Sequence, residues 1–359
     1  MAFITLDTQK LKSNFEYLNA LFKKNGIQWS VVTKMLSGNK LFLSEVLKFD
    51  IPQVCDSRVS NLREVKNINP KIETIYIKPP AKRNIPSIVK YADVSFNTEI
   101  ETIKRLSEEA KKQGKTHKVI IMIELGELRE GIMGDDVIRF YETVFNLQNI
   151  EVIGVGANLS CLYGILPNHD KLIQLSLYKQ LIEAKFNQRT PVVSGGSSVT
   201  IPLIFQRLLP KGVNHFRVGE TLYLGTDVYH KTRLKKMHTD VFMLYCEIIE
   251  LIEKPIVPMG EMTTNLEGIS FEFDKEHIGK KTYRAIVDLG LLDAETNHLQ
   301  CTDASLKFAG ATSDMIVIDL GDNKNGYKVG DLIEIKPDYM GILRIMNSRY
   351  IDKKVINPA

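Results

Sequence analysis

Residues 28–40 read QWSVVTKMLSGNK, and this stretch holds the pattern that decides the fold. A short apolar strand, WSVV, is followed by a turn rich in small and polar residues, SGN. The strand ends on Lys34 instead of a turn residue. Because a lysine ammonium is costly to remove from water, this side chain either extends into solvent or is held there for chemistry.

The same succession of strand and helix is repeated along the N-terminal two thirds of the chain. Segments with helical spacing, such as IETIKRLSEEAKKQGK (100–115), separate the strands. Eight apolar runs are predicted as strands: WSVVTK (29–34), PQVCD (52–56), TIYIK (74–78), DVSFN (93–97), HKVIIMIEL (117–125), VIGVGANL (152–159), PVVSG (191–195) and HFRVGE (215–220). Alternation of this kind implies parallel strands with right-handed crossovers. Eight units in roughly 225 residues predict an α/β fold, a (β/α)8 TIM barrel.

The sequence pattern changes after about His230. Strand-like runs then follow one another between Gly, Asp and Asn turns, without long helices. These runs are VFMLYCEIIELIEKPIV (241–257), TYRAIVDLG (282–290), MIVIDLGD (315–322) and DLIEIKP (331–337). We therefore predict a barrel over residues 1–231, followed by a mostly antiparallel β-domain over residues 232–359.

Composition excludes several classes of function. The 359 residues are 44% hydrophobic and 25% charged, with a net charge of +4 and no long basic block, which argues against a nucleic-acid partner. The chain shows no signal-peptide pattern and no apolar run of 18 residues, so we expect no membrane association and a cytoplasmic location. The four cysteines are far apart and predict neither a disulfide framework nor a zinc site.

Polar residues gather where the predicted strands end, which is the active face of a TIM barrel. Lys34 has two interpretations: an exposed lysine that closes a strand, or a partly buried amine with a lowered pKa. Such an amine forms a Schiff base with a carbonyl or with pyridoxal phosphate. The loop ELGELREG (124–131) is either a solvated charged loop or a rigid setting for Arg129 as a donor to an anionic oxygen.

The seventh strand is followed by SGGSS (194–198) and the eighth ends in RVGE (217–220). Glycines and a helix N-terminus favour phosphate, although serine is also a routine N-cap. The position of these loops strengthens the phosphate interpretation, because the seventh and eighth loops are the usual phosphate site of a barrel.

The loop NLSCLYG (158–164) offers two ligand contacts, Asn158 and Tyr163, and one thiol, Cys161, which is a nucleophile or inert packing. No two histidines have metal-ligand spacing, so we expect no catalytic metal. His215, alone on a strand, is expected to be structural.

Taken in order, these motifs resemble the pyridoxal-phosphate enzymes of the alanine racemase type, which pair a barrel with a β-domain. WSVVTKMLSGN is similar to the motif VVKAnAYG, and the resemblance identifies Lys34 as the Schiff-base lysine. IELGELREG is similar to DTGMxRxG, which implies that Arg129 donates to the phenolic oxygen of the cofactor. FRVGETLYLG is similar to VRPGxxLYG, which implies that Arg217 faces the pyridine nitrogen.

The same resemblance implies a phosphate site at the backbone of Gly219 and Glu220, with Ser197 or Ser198 as the serine donor. Asn158 is expected, from its place in the loop after the sixth strand, to be a further cofactor contact. The opening FITLDTQKLKSNFEYL is similar to the first strand and helix of the family. Details such as TKMLSGN, CDSRVSNL and GATSDMIVIDL resemble its ornithine racemase branch.

The sequence departs from the family at three positions. Gly38 stands where the family has a tyrosine that binds phosphate, and Tyr339 is a candidate replacement. Met122 replaces the lysine that positions the arginine, so Glu124 or Glu127 is expected to hold Arg129. Leu291 replaces the tyrosine that serves as second base, which leaves four candidates: Asp288, Asp293, Asp314 and Cys161.

The resemblance implies a homodimeric racemase that uses pyridoxal 5'-phosphate to invert a small free amino acid. The expected substrate is ornithine or another dibasic or small amino acid, and Lys34 moves the Cα proton on one face. Two alternatives stay open at this point: a pyridoxal-phosphate-binding regulatory protein without turnover, and a pyridoxal-phosphate-dependent lyase acting on D-amino acids.

Overall fold

The computed structural model describes residues 2–265 and 268–357. The chain divides into two compact units. One unit is Thr8–Thr239, and the other joins the N-terminal residues through Asp7 to Asp240–Asn357. The division expected from the sequence, 1–231 and 232–359, differs from this one most at the N-terminus.

The first strand, β1 (Phe3–Asp7), belongs to the second unit although it comes first in the chain. It pairs antiparallel with residues 242–245 and parallel with residues 352–356. A strand needs neighbours for its backbone N–H and C=O groups, and β1 finds both of them in the C-terminal segment. The similarity of FITLD to the opening strand of a barrel family did not reveal this partner.

Within the described residues, the first unit is built on a nearly closed parallel barrel of nine short strands. These strands are β2 (Gln28–Val32), β3 (Gln53–Asp56), β4 (Glu73–Tyr76), β5 (Val94–Asn97), β6 (His117–Met122), β7 (Ile150–Gly156), β8 (Val192–Ser194), β9 (Gly196–Ser197) and β10 (His215–Val218). The strands β8 and β9 share one position, since β8 pairs with β7 and β9 pairs with β10. Because β10 also pairs with β2, the sheet returns to its first strand. The predicted TIM-type barrel is confirmed, and each of the eight predicted runs contains strand.

Helices follow the barrel strands and cover the sheet. They are α1 (Thr8–Lys24), α2 (Lys40–Val46), α3 (Val59–Ile68), α4 (Ile85–Tyr91), α5 (Ile100–Lys112), α6 (Val137–Phe145), α7 (His169–Phe186), α8 (Ile201–Phe205) and α9 (Glu220–Leu224). In α5, Ile103, Leu106 and Ala110 are fully buried at helical spacing. None of the helices described is long and apolar enough to cross a bilayer.

Apolar side chains from several strands fill part of the barrel interior. The cluster comprises Val32, Cys55, Ile75, Val94, Phe96, Ile120 and Met122. Parallel strands end on one edge of a barrel, so the residues that follow them share one face. A short two-stranded ribbon, β11 (Thr226–Asp227) with β12 (Thr232–Arg233), completes the first unit.

The second unit is a mostly antiparallel sheet, as the sequence predicts. Its remaining elements are β13 (Phe242–Pro255), β14 (Lys281–Val287), β15 (Leu299–Cys301), β16 (Lys307–Ala311), β17 (Ile316–Asp319), β18 (Leu332–Pro337), α10 (Tyr339–Asn347) and β19 (Asp352–Ile356). The strand order is β15-β18-β13-β14-β17-β16, and β1 joins at β13. The parallel pair of β1 and β19 is the exception to the antiparallel pattern.

Candidate active site

Lys34 lies just beyond the carboxyl end of β2, where a short 3-10 turn, Lys34–Leu36, begins. Its side chain is exposed, which agrees with the first of the two interpretations that the sequence leaves open, and its role as the Schiff-base lysine stays a prediction. The residue before it is fixed: Thr33 is buried and its hydroxyl donates to Asp56 Oδ2 at 2.9 Å. The lysine is thus accessible on a turn whose base is held in place.

Asp56 anchors this turn from the end of β3. Its two oxygens accept from Asn61 Nδ2 at 3.1 and 3.2 Å, and Oδ1 also accepts from the Arg58 backbone N–H at 2.8 Å. Burial raises the pKa of Asp56 to about 6, although these donors and Thr33 pull it down. The buried carboxylate therefore connects the base of the lysine turn to α3.

Arg129 is held by Glu130 at its side chain and by Glu124, one of the two residues expected to position it, at its backbone. Its guanidinium forms a salt bridge with Glu130, and this hydrogen bond is the main cause that raises the pKa of Arg129. Glu124 instead accepts from the backbone N–H groups of Gly126 and Leu128, at 2.5 and 2.9 Å. Glu124 Oε2 also accepts from the Arg129 backbone N–H at 3.3 Å, so Glu124 positions this residue through its backbone, whereas Glu127 binds backbone donors of another loop.

Glu127 has a task that the sequence does not reveal. Its side chain is 1% exposed and its carboxylate accepts backbone N–H groups from five residues of the next loop. The donors are Ser160, Cys161, Leu162, Tyr163 and Ile165. Burial favours the neutral acid, but these donors outweigh it and lower the pKa of Glu127. We name this arrangement the Glu127 clamp, and it sets the path of the loop over 160–165.

The clamped loop brings Cys161 and Asn158 to the two arginines. Asn158 Nδ2 lies 3.1 Å from Cys161 Sγ, and Asn158 Oδ1 lies 3.4 Å from a guanidinium nitrogen of Arg217. Cys161 is close enough to Arg129 and Arg217 to act on the pKa of both. The structure therefore gathers four predicted site residues from the loops after β6 and β7 and from β10.

Arg217 points into the barrel from β10 and is 6% exposed. Its Nη1 donates to the Ser194 carbonyl and hydroxyl at 2.7 and 2.6 Å, and its Nη2 donates to the Ala157 carbonyl at 2.9 Å. The guanidinium also lies 5.1 Å from the ring centroid of Phe96. Burial lowers the pKa of Arg217. Contacts to several neighbouring elements therefore fix the position of the Arg217 guanidinium.

The predicted phosphate loops lie on the same edge of the barrel. The Ser198 hydroxyl accepts from the Thr221 backbone N–H at 3.2 Å, which joins the two loops. The Ser197 hydroxyl is part of a capping box on the 3-10 turn Ser198–Thr200. A Cβ added at Gly219 would lie 3.1 Å from the Val32 carbonyl oxygen. The backbone at Gly219, where α9 begins, is therefore next to Val32, the last residue of β2 and two positions before Lys34.

The remaining candidates lie in the second unit, which we describe by itself. Tyr339 begins α10, directly after its N-cap, Asp338. Asp293 accepts from the Ser348 hydroxyl at 2.5 Å, and Asp314 accepts from the Ser313 hydroxyl at 2.7 Å. Asp288 follows β14. A cofactor or proton-transfer role for any of the four residues stays a prediction.

Comparison with known proteins matches this geometry to one family. Residues 6–227 match the family model described as alanine racemase, N-terminal domain. The chain is 35% identical to ornithine racemase from Acetoanaerobium sticklandii, over 98% of this chain and 99% of that protein. It is 26% identical to lysine racemase from Thermotoga maritima, over 98% of this chain and 97% of that protein.

A solved structure shares the fold of the whole chain. Alanine racemase from Bartonella henselae, described with covalently bound pyridoxal phosphate, aligns with a TM-score of 0.74 at 14% identity. The alignment covers 99% of each chain. With the family match over more than half of the sequence and the full-length similarity to ornithine racemase, the chain belongs to the alanine racemase family of pyridoxal-phosphate-dependent isomerases.

Proposed function

We propose that this protein is a pyridoxal-phosphate-dependent racemase of a free dibasic amino acid, with ornithine as the first candidate. One observation carries the proposal: the barrel edge that presents the exposed Lys34 also holds Arg129 and Arg217. The 35% identity to ornithine racemase over nearly the whole chain supports the choice of substrate.

The donors on this edge fit the cofactor. Lys34 offers a primary amine for an aldehyde, and two guanidiniums offer cationic donors for a phenolic oxygen and a ring nitrogen. Ser197 and Ser198 each accept from a backbone N–H, so each hydroxyl proton remains to be donated to phosphate. We propose that these residues, with Asn158 and the backbone at Gly219 and Glu220, hold pyridoxal phosphate.

When bound, pyridoxal phosphate supplies an aldehyde that captures amines and a ring that withdraws electrons from the substrate Cα–H bond. The chain supplies the proton transfer. We propose that the neutral amine of Lys34, once released by the substrate amine, takes the Cα proton on one face and can return it. Arg217, a permanent cation, disfavours protonation of the ring nitrogen and so limits side reactions.

Inversion needs a second proton carrier on the opposite face of Cα. Cys161 is the candidate from the barrel unit, and its exposed thiol lies near both arginines. Asp288, Asp293 and Asp314 are the candidates from the second unit, and water is the remaining one. Because Leu291 cannot carry a proton, this step differs from the tyrosine-based step that its motif suggests.

A dibasic substrate also requires a carboxylate for its distal ammonium. Glu124 and Glu127 accept backbone N–H groups, and Glu130 binds Arg129. Because these three carboxylates already have partners within the chain, we expect another acidic side chain to recognise the substrate. This expectation also applies to lysine, which differs from ornithine by one methylene group.

We further propose a cytoplasmic homodimer, in which the β-domain of one subunit closes the active site of the other. Light scattering during size-exclusion chromatography measures the mass of the particle directly. A mass near twice the 40.8 kDa of one chain supports the dimer. A single-chain mass with full turnover contradicts it.

The first experiment asks whether Lys34 binds the cofactor. Wild type, Lys34→Ala and Lys40→Ala are purified with pyridoxal phosphate, and the absorbance of bound cofactor is recorded before and after borohydride reduction. Lys40 is a matched control, because it is also exposed and lies six positions further along the chain. We expect a reducible chromophore in wild type and Lys40→Ala only, and mass spectrometry to locate the reduced adduct on Lys34.

Turnover is then measured by chiral chromatography with ornithine, lysine, alanine and serine in deuterated water. Inversion of ornithine with deuterium at Cα supports the racemase. A lysine-dependent chromophore without turnover identifies a regulatory cofactor-binding protein instead. Cleavage products from a D-amino acid identify a lyase.

A further inference from the structure

A line of polar side chains runs through the barrel interior from the amino end of the strands to Arg217. Five side chains, each on a different strand, lead to Arg217 in this order: Glu73, Gln53, Ser30, His215 and Ser194. Buried polar groups are retained in a barrel core only when each of them is satisfied. The direction of every hydrogen bond in this line can be deduced.

The Glu73 carboxylate, at the far end of the line from Arg217, can only accept. Gln53 Nε2 donates to Glu73 Oε2, so the amide oxygen of Gln53 faces the other way. That oxygen lies 2.9 Å from Ser30 Oγ and 3.1 Å from His215 Nε2. The Ser30 hydroxyl and His215 Nε2 must therefore donate to this oxygen or to each other, because an amide oxygen has no proton to give.

His215 is thereby fixed in one tautomer. Ser30 donates its hydroxyl proton to Gln53 Oε1, so its oxygen, 2.9 Å from His215 Nε2, accepts from that nitrogen. A proton on Nε2 leaves Nδ1 of the neutral ring as an acceptor. Burial lowers the pKa of His215 to about 3, with a smaller contribution from Arg217, which agrees with a neutral ring.

Ser194 transmits this direction to Arg217. Its hydroxyl lies 2.7 Å from His215 Nδ1, so it donates to that nitrogen and turns its lone pairs toward the 2.6 Å contact with Arg217 Nη1. With Nδ1 protonated, the serine would instead use one of its two lone pairs to accept from the ring, and its own proton would have no acceptor in this line. Only the tautomer with its proton on Nε2 gives every donor in this line an acceptor and leaves both serine lone pairs for other donors such as Arg217.

We propose that His215 is a positioning residue that holds Arg217 in its orientation through Ser194, at the end of a directed hydrogen-bond relay anchored on Glu73. The inference rests on the proposed function, in which Arg217 faces the ring nitrogen of the cofactor. His215 touches neither cofactor nor substrate in this scheme. It acts by keeping a lone pair of Ser194 aimed at the arginine.

The test uses three variants. His215→Leu removes both ring nitrogens, whereas His215→Asn keeps an acceptor oxygen near the position of Nδ1. His117→Leu is the matched control, because His117 is also a buried histidine at a barrel strand and its Nε2 lies 2.8 Å from the Ser95 hydroxyl. His117 lies on β6, and the relay to Arg217 does not include it.

The first measurement needs no cofactor. Nitrogen-15 spectra of labelled protein at pH 7.5, assigned by the signals that disappear in His215→Asn, report the tautomer of His215. We expect a neutral ring with the proton on Nε2. A proton on Nδ1, or a charged ring, overturns the relay.

The second measurement uses holoenzyme and separates positioning from stability. For His215→Leu we expect kcat to fall roughly 10- to 100-fold, as for misplacement of an active-site group by about 1 Å, and the Kd for pyridoxal phosphate to rise. We expect the substrate KM to change little, since Arg217 is proposed to act on the cofactor. His215→Asn should recover most of kcat, and His117→Leu should keep it even if its melting temperature falls.

The outcomes distinguish this inference from the proposed function. Wild-type kcat and cofactor Kd in His215→Leu overturn the positioning role, while the racemase proposal stands. Absence of turnover in wild type defeats the proposed function. In that case two results that need no turnover test the relay: the tautomer of His215 in wild type, and the change of cofactor Kd in His215→Leu.

Discussion

The side chain of Asn61 occupies the space into which a side chain at Gly38 would grow. A Cβ built at Gly38 lies 2.7 Å from Asn61 Oδ1, and Gly38 has a φ of +72°. Asn61 is fixed in turn by Asp56, which binds the base of the lysine turn. A tyrosine cannot stand at Gly38 in this conformation, which gives a physical reason for the departure from the family motif.

Gly38→Ala is therefore expected to destabilise the protein more than a left-handed conformation alone would. Gly26→Ala is the control, because Gly26 has a φ of +66° but no atom within 4 Å of its added Cβ. Each substitution is expected to lower the free energy of unfolding by about 1–2 kcal/mol, because alanine must adopt the left-handed conformation. In Gly38→Ala the close contact with Asn61 lowers it further. Urea unfolding measures the difference. Equal losses in the two variants would show that Asn61 moves aside without cost.

Glu127→Gln is expected to release the loop over 160–165. The neutral amide replaces one acceptor oxygen with a donor that faces backbone N–H groups, so several donors lose their partner. We expect a loss of about 1–3 kcal/mol and faster amide hydrogen exchange in this loop. Glu124→Gln is the control, since its exchange effect should be confined to residues 126–129. Unchanged exchange at 160–165 in Glu127→Gln would contradict the clamp.

The raised pKa of Asp56 predicts that this residue adds more to the free energy of unfolding as pH falls. Its folded pKa, about 6, is above the ordinary value of 3.8, so the folded state binds more protons between these pH values. The contribution is fully present below about pH 4 and is lost as pH rises through 6, with a size of about 2–3 kcal/mol. Asp56→Asn should remove this slope from the unfolding free energy, while the exposed Asp135→Asn should retain it. Parallel pH profiles of wild type and Asp56→Asn would refute the raised pKa.

Cys161 is expected to be the one thiol that reacts rapidly in the folded protein. Cys55, Cys246 and Cys301 are buried, whereas Cys161 is exposed. Burial raises the pKa of Cys55 to about 12, which further suppresses its reactive thiolate. Titration with a chromogenic disulfide should show one fast thiol in wild type and none in Cys161→Ser. Rapid modification of two or more thiols in native wild type would contradict the burial of the others.

The barrel could be predicted from sequence because its signals are local. Each strand from WSVVTK to HFRVGE is a short apolar run, and amphipathic segments separate these runs, so periodicity suffices. The location of Lys34, Arg129 and Arg217 on one edge follows from the same pattern, since parallel strands end together.

Other features depended on partners far away in the chain. The segment FITLD has the pattern of any strand, and nothing in its residues shows that it pairs with β13 and β19. The five N–H donors of Glu127 lie 33 to 38 positions away, and backbone donors leave no mark on sequence. His215 was expected to be structural because it stands alone on its strand, and the sequence does not show that Ser194, on β8, links it to Arg217.

The pairing of β1 with β19 has a consequence for how the chain is made. Residues 8–239 interrupt a β-sheet, because β1 precedes them in the chain and its partners β13 and β19 follow them. On the ribosome, β1 must wait without its parallel neighbour until β19 has been synthesised, which happens only after the whole barrel segment has been made.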